Sequence, residues 1–197
     1  MRSPTMLFMA IDVLSEEELV QAAKQAPEGD VRAFEQLVYM HQKRLLENCR
    51  HLTRDESNFE DLAQEVLVRA YFGLPKFEGK SSFGHWLKRI KVNHCLNHLK
   101  KQEGRTAVDV DEPGIQDDAR LQVLPSIELT MEHSDKRRRI RKVLNALPLT
   151  LRVPLVMCDM DDMSYDEVSQ SLGIGLSAAK MRIKRAREEF RRLYDGP

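Results

Sequence analysis

Apolar residues recur along most of this chain at steps of three and four, the spacing of one face of an α-helix, and strand-like alternation is rare. Ser15 and Glu18 form a capping-box pair that opens a first helix, with Leu19, Ala22 and Ala23 on one side. A second pattern over 31–52 runs through Phe34, Leu37, Val38, Leu45 and Cys49. The third, over 59–72, has a stripe of Phe59, Leu62, Ala63, Val66, Leu67 and Ala70. Its opposite face carries Glu60, Asp61, Gln64, Glu65 and Arg69, which on a helix of this kind is ordinarily a solvated face. Gly79 and two serines mark a turn over 76–82, and a basic amphipathic helix follows from Phe83 to about Lys101.

A second group of helices is predicted near the C-terminus. A strongly basic helix spans 134–146, and an apolar one spans 150–157 with Pro154 inside it, at an early turn or as a kink. Ser164 and Glu167 are a second capping box, opening a short helix to Leu172. Gly173-Ile174-Gly175 makes a tight turn before a long helix over 176–193, whose inward positions are Ala179, Ile183, Ala186 and Phe190. A short helix, a glycine turn and a basic second helix is the helix-turn-helix arrangement, whose second helix fits the DNA major groove.

Between the two groups the pattern stops. Residues 106–125 hold Asp109, Asp111, Glu112, Asp117 and Asp118, two prolines and no aromatic residue. Such a segment buries too little apolar surface to offset the entropy of ordering, and it reads as a flexible acidic linker. The expected fold is therefore all-α: a leader over 1–14, a helical domain over 15–105, a linker over 106–133 and a helix-turn-helix domain over 134–195.

Composition adds a constraint through charge. The 197 residues carry 31 basic and 31 acidic side chains, a formal zero that argues against a uniformly basic nucleic-acid binder. The zero is a cancellation of blocks: net −4 over 1–30, +5 over 31–105, −7 over 106–135 and +6 over 136–197. Both basic blocks coincide with helical groups. Three widely spaced cysteines, Cys49, Cys95 and Cys158, offer no disulfide framework and fit a reducing compartment. The apolar run from Met6 to Ile11 ends at Asp12, too short for a membrane span, so a cytoplasmic chain without membrane insertion is expected.

Candidate chemistry concentrates in the basic helices. From Lys80 to Arg105 seven cations face only Glu103, and Phe77, Phe83 and Trp86 cluster at the start of that stretch. Cations beside aromatics suit single-stranded nucleic acid, since phosphates are neutralised and unstacked bases restack on rings. The plainer reading keeps the aromatics in the core. His94, Cys95 and His98 lack a further convergent ligand, so no metal or cofactor is expected. No glycine-rich phosphate loop, metalloprotease motif or nucleophilic triad is present, which argues against an enzyme.

Both groups resemble one family in the same order. Phe59-Glu-Asp-Leu-Ala-Gln-Glu-Val-Leu-Val-Arg-Ala-Tyr71 resembles the polymerase-binding helix of bacterial RNA polymerase sigma factors. Phe77 through Ser82-Phe83-Gly-His-Trp86-Leu-Lys-Arg-Ile90-Lys-Val-Asn93 is similar to the family's promoter-melting region. Leu172-Gly-Ile-Gly-Leu-Ser-Ala-Ala-Lys-Met-Arg182-Ile-Lys-Arg-Ala-Arg187 resembles its second DNA-reading helix-turn-helix. Two such domains in under 200 residues resemble the extracytoplasmic-function (ECF) subfamily, with the likeness running from Ser15 to Tyr194.

The resemblance implies roles for particular residues. Asp61, Gln64, Glu65 and Arg69 would dock on core RNA polymerase. Phe77, Lys80, Phe83, Lys88, Arg89, Ile90 and Asn93 would engage the minus-ten element, melted to single strands, with Trp86 a core aromatic. Lys180, Met181, Arg182, Lys184 and Arg185 would contact duplex DNA at the minus-thirty-five element. Ala178, Ala179 and Met181 depart from the family's usual small-hydroxyl, β-branched and serine residues; Met181 offers apolar contact, as to a thymine methyl, in place of a hydrogen bond. The linker would thread the polymerase's RNA exit path, and an anti-sigma factor is a further partner class. A lone helix-turn-helix regulator would leave 59–93 without a purpose; a helical adaptor would put both basic faces on acidic proteins.

Overall fold

The computed structural model describes residues 14–53, 58–102 and 135–196, and the expected linker and most of the leader lie outside them. Four helices form the first domain: α1 (Glu16–Gln25), α2 (Arg32–Thr53), α3 (Phe59–Gly73) and α4 (Phe83–Gln102). The second holds α5 (Asp135–Ala146), α6 (Leu149–Leu155), α7 (Tyr165–Leu172) and α8 (Leu176–Asp195). Among the described residues there is no strand, and no helix is long and apolar enough to cross a membrane.

Both capping boxes form. The Ser15 and Ser164 hydroxyls each accept from the backbone N–H three residues on, at 3.3 Å, while Glu18 and Glu167 accept from the serine N–H at 2.8 Å. Each satisfies N-terminal donors that the helix itself leaves unpaired. The apolar stripe of α3 is buried throughout and lies against α2 and α4. In the second domain Ala179, Ile183 and Ala186 are fully buried where α8 meets α6 and α7. The turn between α7 and α8 rests on Gly173 at φ +62°, a left-handed backbone that glycine adopts without a Cβ penalty.

Pro154 sits inside α6 and is buried, and one residue after it the helix passes into a π turn over Val156–Met160. Proline brings no N–H to the helical ladder, and wider turns absorb such a break. Asp161 N–H reaches back to the Val156 carbonyl at 3.1 Å and closes the π turn, which leads into Asp162.

The two domains pack together along a seam made by α2 and α4 on one side and α5, α7 and the π turn on the other. That seam explains one of the polar residues buried at the end of α2: Asn48 donates to Asp161 across it, while the Thr53 hydroxyl donates within the helix to the Cys49 carbonyl at 2.9 Å. Arg152 is wholly buried and donates to the Leu52 carbonyl at 2.9 Å across it. His85 pairs with Glu167 at 2.6 Å, and Arg137 lies 3.6 Å from Glu47.

Candidate nucleic-acid interface

Three surfaces carry the residues singled out from sequence. On α3, Asp61 and Glu65 are exposed, while Gln64 and Arg69 are half-buried. Glu65 holds His94 of α4 at 2.7 Å, which ties this acidic face to the next helix. On α8, Lys180, Met181, Lys184 and Arg185 are all exposed, with Met181 at 48%. Arg182 is half-buried. The outward ridge of α8 is thus mainly cationic with one thioether among the cations, a surface able to meet phosphates and base edges together.

The α4 surface is more divided. Arg89 and Asn93 are exposed one turn apart, and Ile90 is half-buried beside them. Lys80 is exposed and pairs with Glu78. Phe77 and Phe83, expected against unpaired bases, are instead 7% and 2% exposed. Their rings join a cluster with Trp86 and Phe34: centroids lie 5.0 Å apart for Phe77–Trp86 and 5.7 Å for Phe83–Trp86, both tilted, and 6.4 Å for the edge-to-face pair Phe34–Phe83. Rings packed this way have no free face for a base, so the plainer core reading holds for these two. Trp86, by contrast, remains half-buried against Gly73, where an added Cβ would stand 3.2 Å from the indole. Lys24 Nζ donates to the Phe77 carbonyl at 2.8 Å and fixes the turn that leads into α4.

Several residues of consequence escaped the sequence reading. Arg187, one of the α8 cations, turns inward and forks onto Asp159 at 2.6 and 3.0 Å, with the Tyr165 hydroxyl at 3.2 Å. These bonds hold its guanidinium even more firmly protonated than usual, and they tie α8 to the π turn. Lys91 and Asp161 form a buried ion pair, 2% and 1% exposed, and Asn48 also donates to Asp161. Arg44 donates to Asp162 and to the Met160 carbonyl. Lys91 carried a signal: it stands on the ridge Phe83, Leu87, Lys91, Cys95 and Leu99, where every other member is buried and apolar.

The electrostatics follow from these contacts. Hydrogen bonding by Arg44 holds the Asp162 carboxyl below its ordinary range. Burial alone would raise Glu167, but hydrogen bonds from Ser164, with His85 and Arg89 nearby, outweigh it and hold that carboxyl low. The Cys49 thiol is pushed up by its contact with Cys95, 3.8 Å away, and by burial. Among the described residues no cluster of three metal-ligating side chains occurs.

Comparison with known proteins agrees with this arrangement. Residues 37–105 match the family described as Sigma-70 region 2, and residues 137–190 match Sigma-70, region 4. The RNA polymerase sigma-H factor of Pseudomonas aeruginosa is 30% identical over 181 residues, covering 89% of this chain and 93% of the relative. The ECF RNA polymerase sigma-E factor of Escherichia coli is 28% identical over 179 residues, covering 89% and 92%. Among solved structures, CnrH in complex with the cytosolic domain of CnrY superposes with a TM-score of 0.57 at 27% identity, covering 90% of this chain and 95% of that one. The sigma factor RpoE in complex with the anti-sigma factor NepR, from Bartonella quintana, gives 0.61 at 25% identity, covering 84% and 98%.

Proposed function

The chain belongs to the sigma-70 family of RNA polymerase initiation factors, in its ECF branch, and from that premise we propose how its surfaces divide the work. It is a regulatory initiation factor that binds core RNA polymerase and directs it to promoters. The observation that carries the division is that the cationic ridge of α8 and the acidic face of α3 are both accessible on separate domains. Asp61, Gln64, Glu65 and Arg69 dock on the polymerase. Lys180, Met181, Lys184 and Arg185 enter the major groove of the minus-thirty-five element, flanked by Arg182. There the three cations reach phosphates or guanine edges, and Met181 packs on an apolar base edge.

Arg89, Ile90 and Asn93, with Lys80 and Lys88, take the melted minus-ten strand. Phe77 and Phe83 act one layer below, bracing the start of α4 and the Trp86 ring. Opening then follows from differential binding: this surface gains contacts with unpaired bases and backbone that a closed duplex does not offer, and so shifts the equilibrium towards the open strand. No step requires a covalent intermediate or a cofactor, and the factor's contribution is recognition. Anti-sigma partners are proposed by analogy with the two solved relatives, both of which are bound to another protein.

Run-off transcription with core polymerase and the purified chain tests the whole reading. Transcripts initiated at defined promoters are expected, and no product from a broad promoter library would overturn it. The docking face has a separate test. Asp61→Ala with Gln64→Ala is expected to weaken affinity for core polymerase about tenfold, the loss of ~1.4 kcal/mol, with helicity by circular dichroism unchanged. A face that is only solvated predicts no loss.

A further inference from the structure

The turn over 159–162 carries three carboxylates, and only Asp159 is used inside its own domain, by Arg187. Asp161 and Asp162 point at the first domain. Asp161 accepts from Lys91 and Asn48 in full burial, and Asp162 accepts from Arg44 with Lys88 Nζ at 3.9 Å. Three cations from two helices, Arg44 of α2 and Lys88 and Lys91 of α4, thus converge on two carboxylates. A cleft of about 240 Å³ opens beside them, lined also by Ser82, His85 and Glu16, whose carboxylate is taken up by His41 at 2.8 Å and the Gly84 N–H at 3.2 Å.

Two features of this contact are costly unless it serves more than stability. Asp162 has φ +53°, the one residue other than glycine with positive φ among those described, and glycine would hold that backbone with less strain. The Lys91–Asp161 pair is dehydrated, and matched apolar side chains usually serve a buried site as well or better. Carboxylates and backbone phosphates present the same chemistry to such cations: anionic oxygens that accept charge-assisted hydrogen bonds. Lys88 already belongs to the helix read as facing melted DNA.

We propose that Arg44, Lys88 and Lys91 form a phosphate-binding cradle for the backbone of single-stranded DNA, occupied in the closed chain by Asp161 and Asp162 as phosphate surrogates. Parting the domains withdraws both carboxylates and uncovers Lys91, so the cradle becomes available when the chain opens. The proposal rests on the reading of α4 as the DNA-facing helix and adds Arg44, Lys91 and the acidic turn to it.

The test uses the full chain without polymerase and a deoxythymidine oligonucleotide of about 15 nucleotides, which offers backbone and no promoter sequence. Asp161→Asn with Asp162→Gly removes both surrogate charges. Asparagine keeps an oxygen for Asn48, and glycine relaxes the positive φ. The expected result is about tenfold tighter binding, with the dependence of log Kd on log salt steeper by ~2, as three added phosphates contribute about 0.7 each. X-ray scattering should show a larger radius of gyration. Adding Arg44→Ala should remove about a third of the added slope, the share of one contact in three.

Unchanged affinity and slope in the double variant overturn the proposal, as does a gain that Arg44→Ala leaves undiminished or one that comes in the double variant without any opening. Asp162→Gly alone removes a largely exposed carboxylate, frees Arg44 and leaves the buried Lys91–Asp161 pair in place; it should tighten binding about threefold, for roughly one phosphate contact, so the proposal stays testable if the double variant fails to fold. Polymerase is absent throughout, so a negative result leaves the promoter reading standing. Failure of run-off transcription leaves this result readable in turn.

Discussion

Phe83→Ala is expected to lower the stability of the first domain by about 4 kcal/mol and to abolish promoter opening. Phe83 is the first residue of α4 and 2% exposed, and its ring meets Phe34, His41, Phe77 and Trp86 at centroid distances of 5.5 to 6.5 Å. Removing it leaves a cavity that four rings cannot close by small shifts, since each is held by other neighbours. The start of α4 then loosens, and with it the positions of Trp86, Arg89 and Ile90. Urea unfolding gives the stability change, and permanganate reactivity of unpaired thymines in the polymerase complex gives the opening. Phe83→Leu is the discriminating control: it keeps most of the volume, should cost under about 1.5 kcal/mol, and should retain opening. Loss of opening in a fully folded Phe83→Leu chain would mean that the ring itself touches a base.

The contrast between Phe83 and Met181 shows what the sequence could carry. On α8 the spacing of Ala179, Ile183 and Ala186 sets the buried stripe, so the outward place of Lys180, Met181, Lys184 and Arg185 follows from 3.6 residues per turn. The same logic placed Asp61 and Glu65 outside on α3, and the two serine–glutamate pairs marked helix starts because capping is a local reaction between residues three apart. Phe77 had no such determination, because it lies in a turn where periodicity assigns no face. Phe83 opens α4 in register with the buried Leu87, Cys95 and Leu99, but at the first residue of a helix and beside cations an aromatic suits a core and a nucleic-acid surface equally.

The seam was out of reach for a different reason. Its contacts join residues far apart in number, Asn48 to Asp161 and Leu52 to Arg152, and nothing local to either partner specifies the other. The charge blocks pointed to two domains joined by an acidic linker. What they concealed is that the second basic block carries its own acidic turn, and that this turn meets the first block directly. A cation on an apolar ridge, as Lys91 stands between Leu87 and Cys95, is the trace such a contact leaves in sequence. It says that a partner anion exists without saying where.

Lys91→Ala isolates that contact, and its expected effect is large because of where the pair lies. Removing one partner of a buried ion pair typically costs about 3–5 kcal/mol, since the remaining charge is left dehydrated and uncompensated. Here the stranded group would be Asp161, which is 1% exposed and retains only Asn48 as a donor. A carboxylate inside a single core could regain water only by unfolding. Asp161 lies between domains, so parting the seam hydrates it while each helical core stays intact. The penalty should therefore appear as opening, with the urea midpoint of either domain moving by less than the full cost. Amide exchange should accelerate over the buried end of α2, Asn48 to Thr53, and over the π turn, while the α3 core stays protected. Lys91→Met with Asp161→Asn removes both charges, keeps most of the volume and should restore closure. Unchanged exchange in Lys91→Ala would mean that the pair adds nothing to the seam, and that the hydrogen bonds of Arg152 to the Leu52 carbonyl and of Arg44 to Asp162 hold the domains without it.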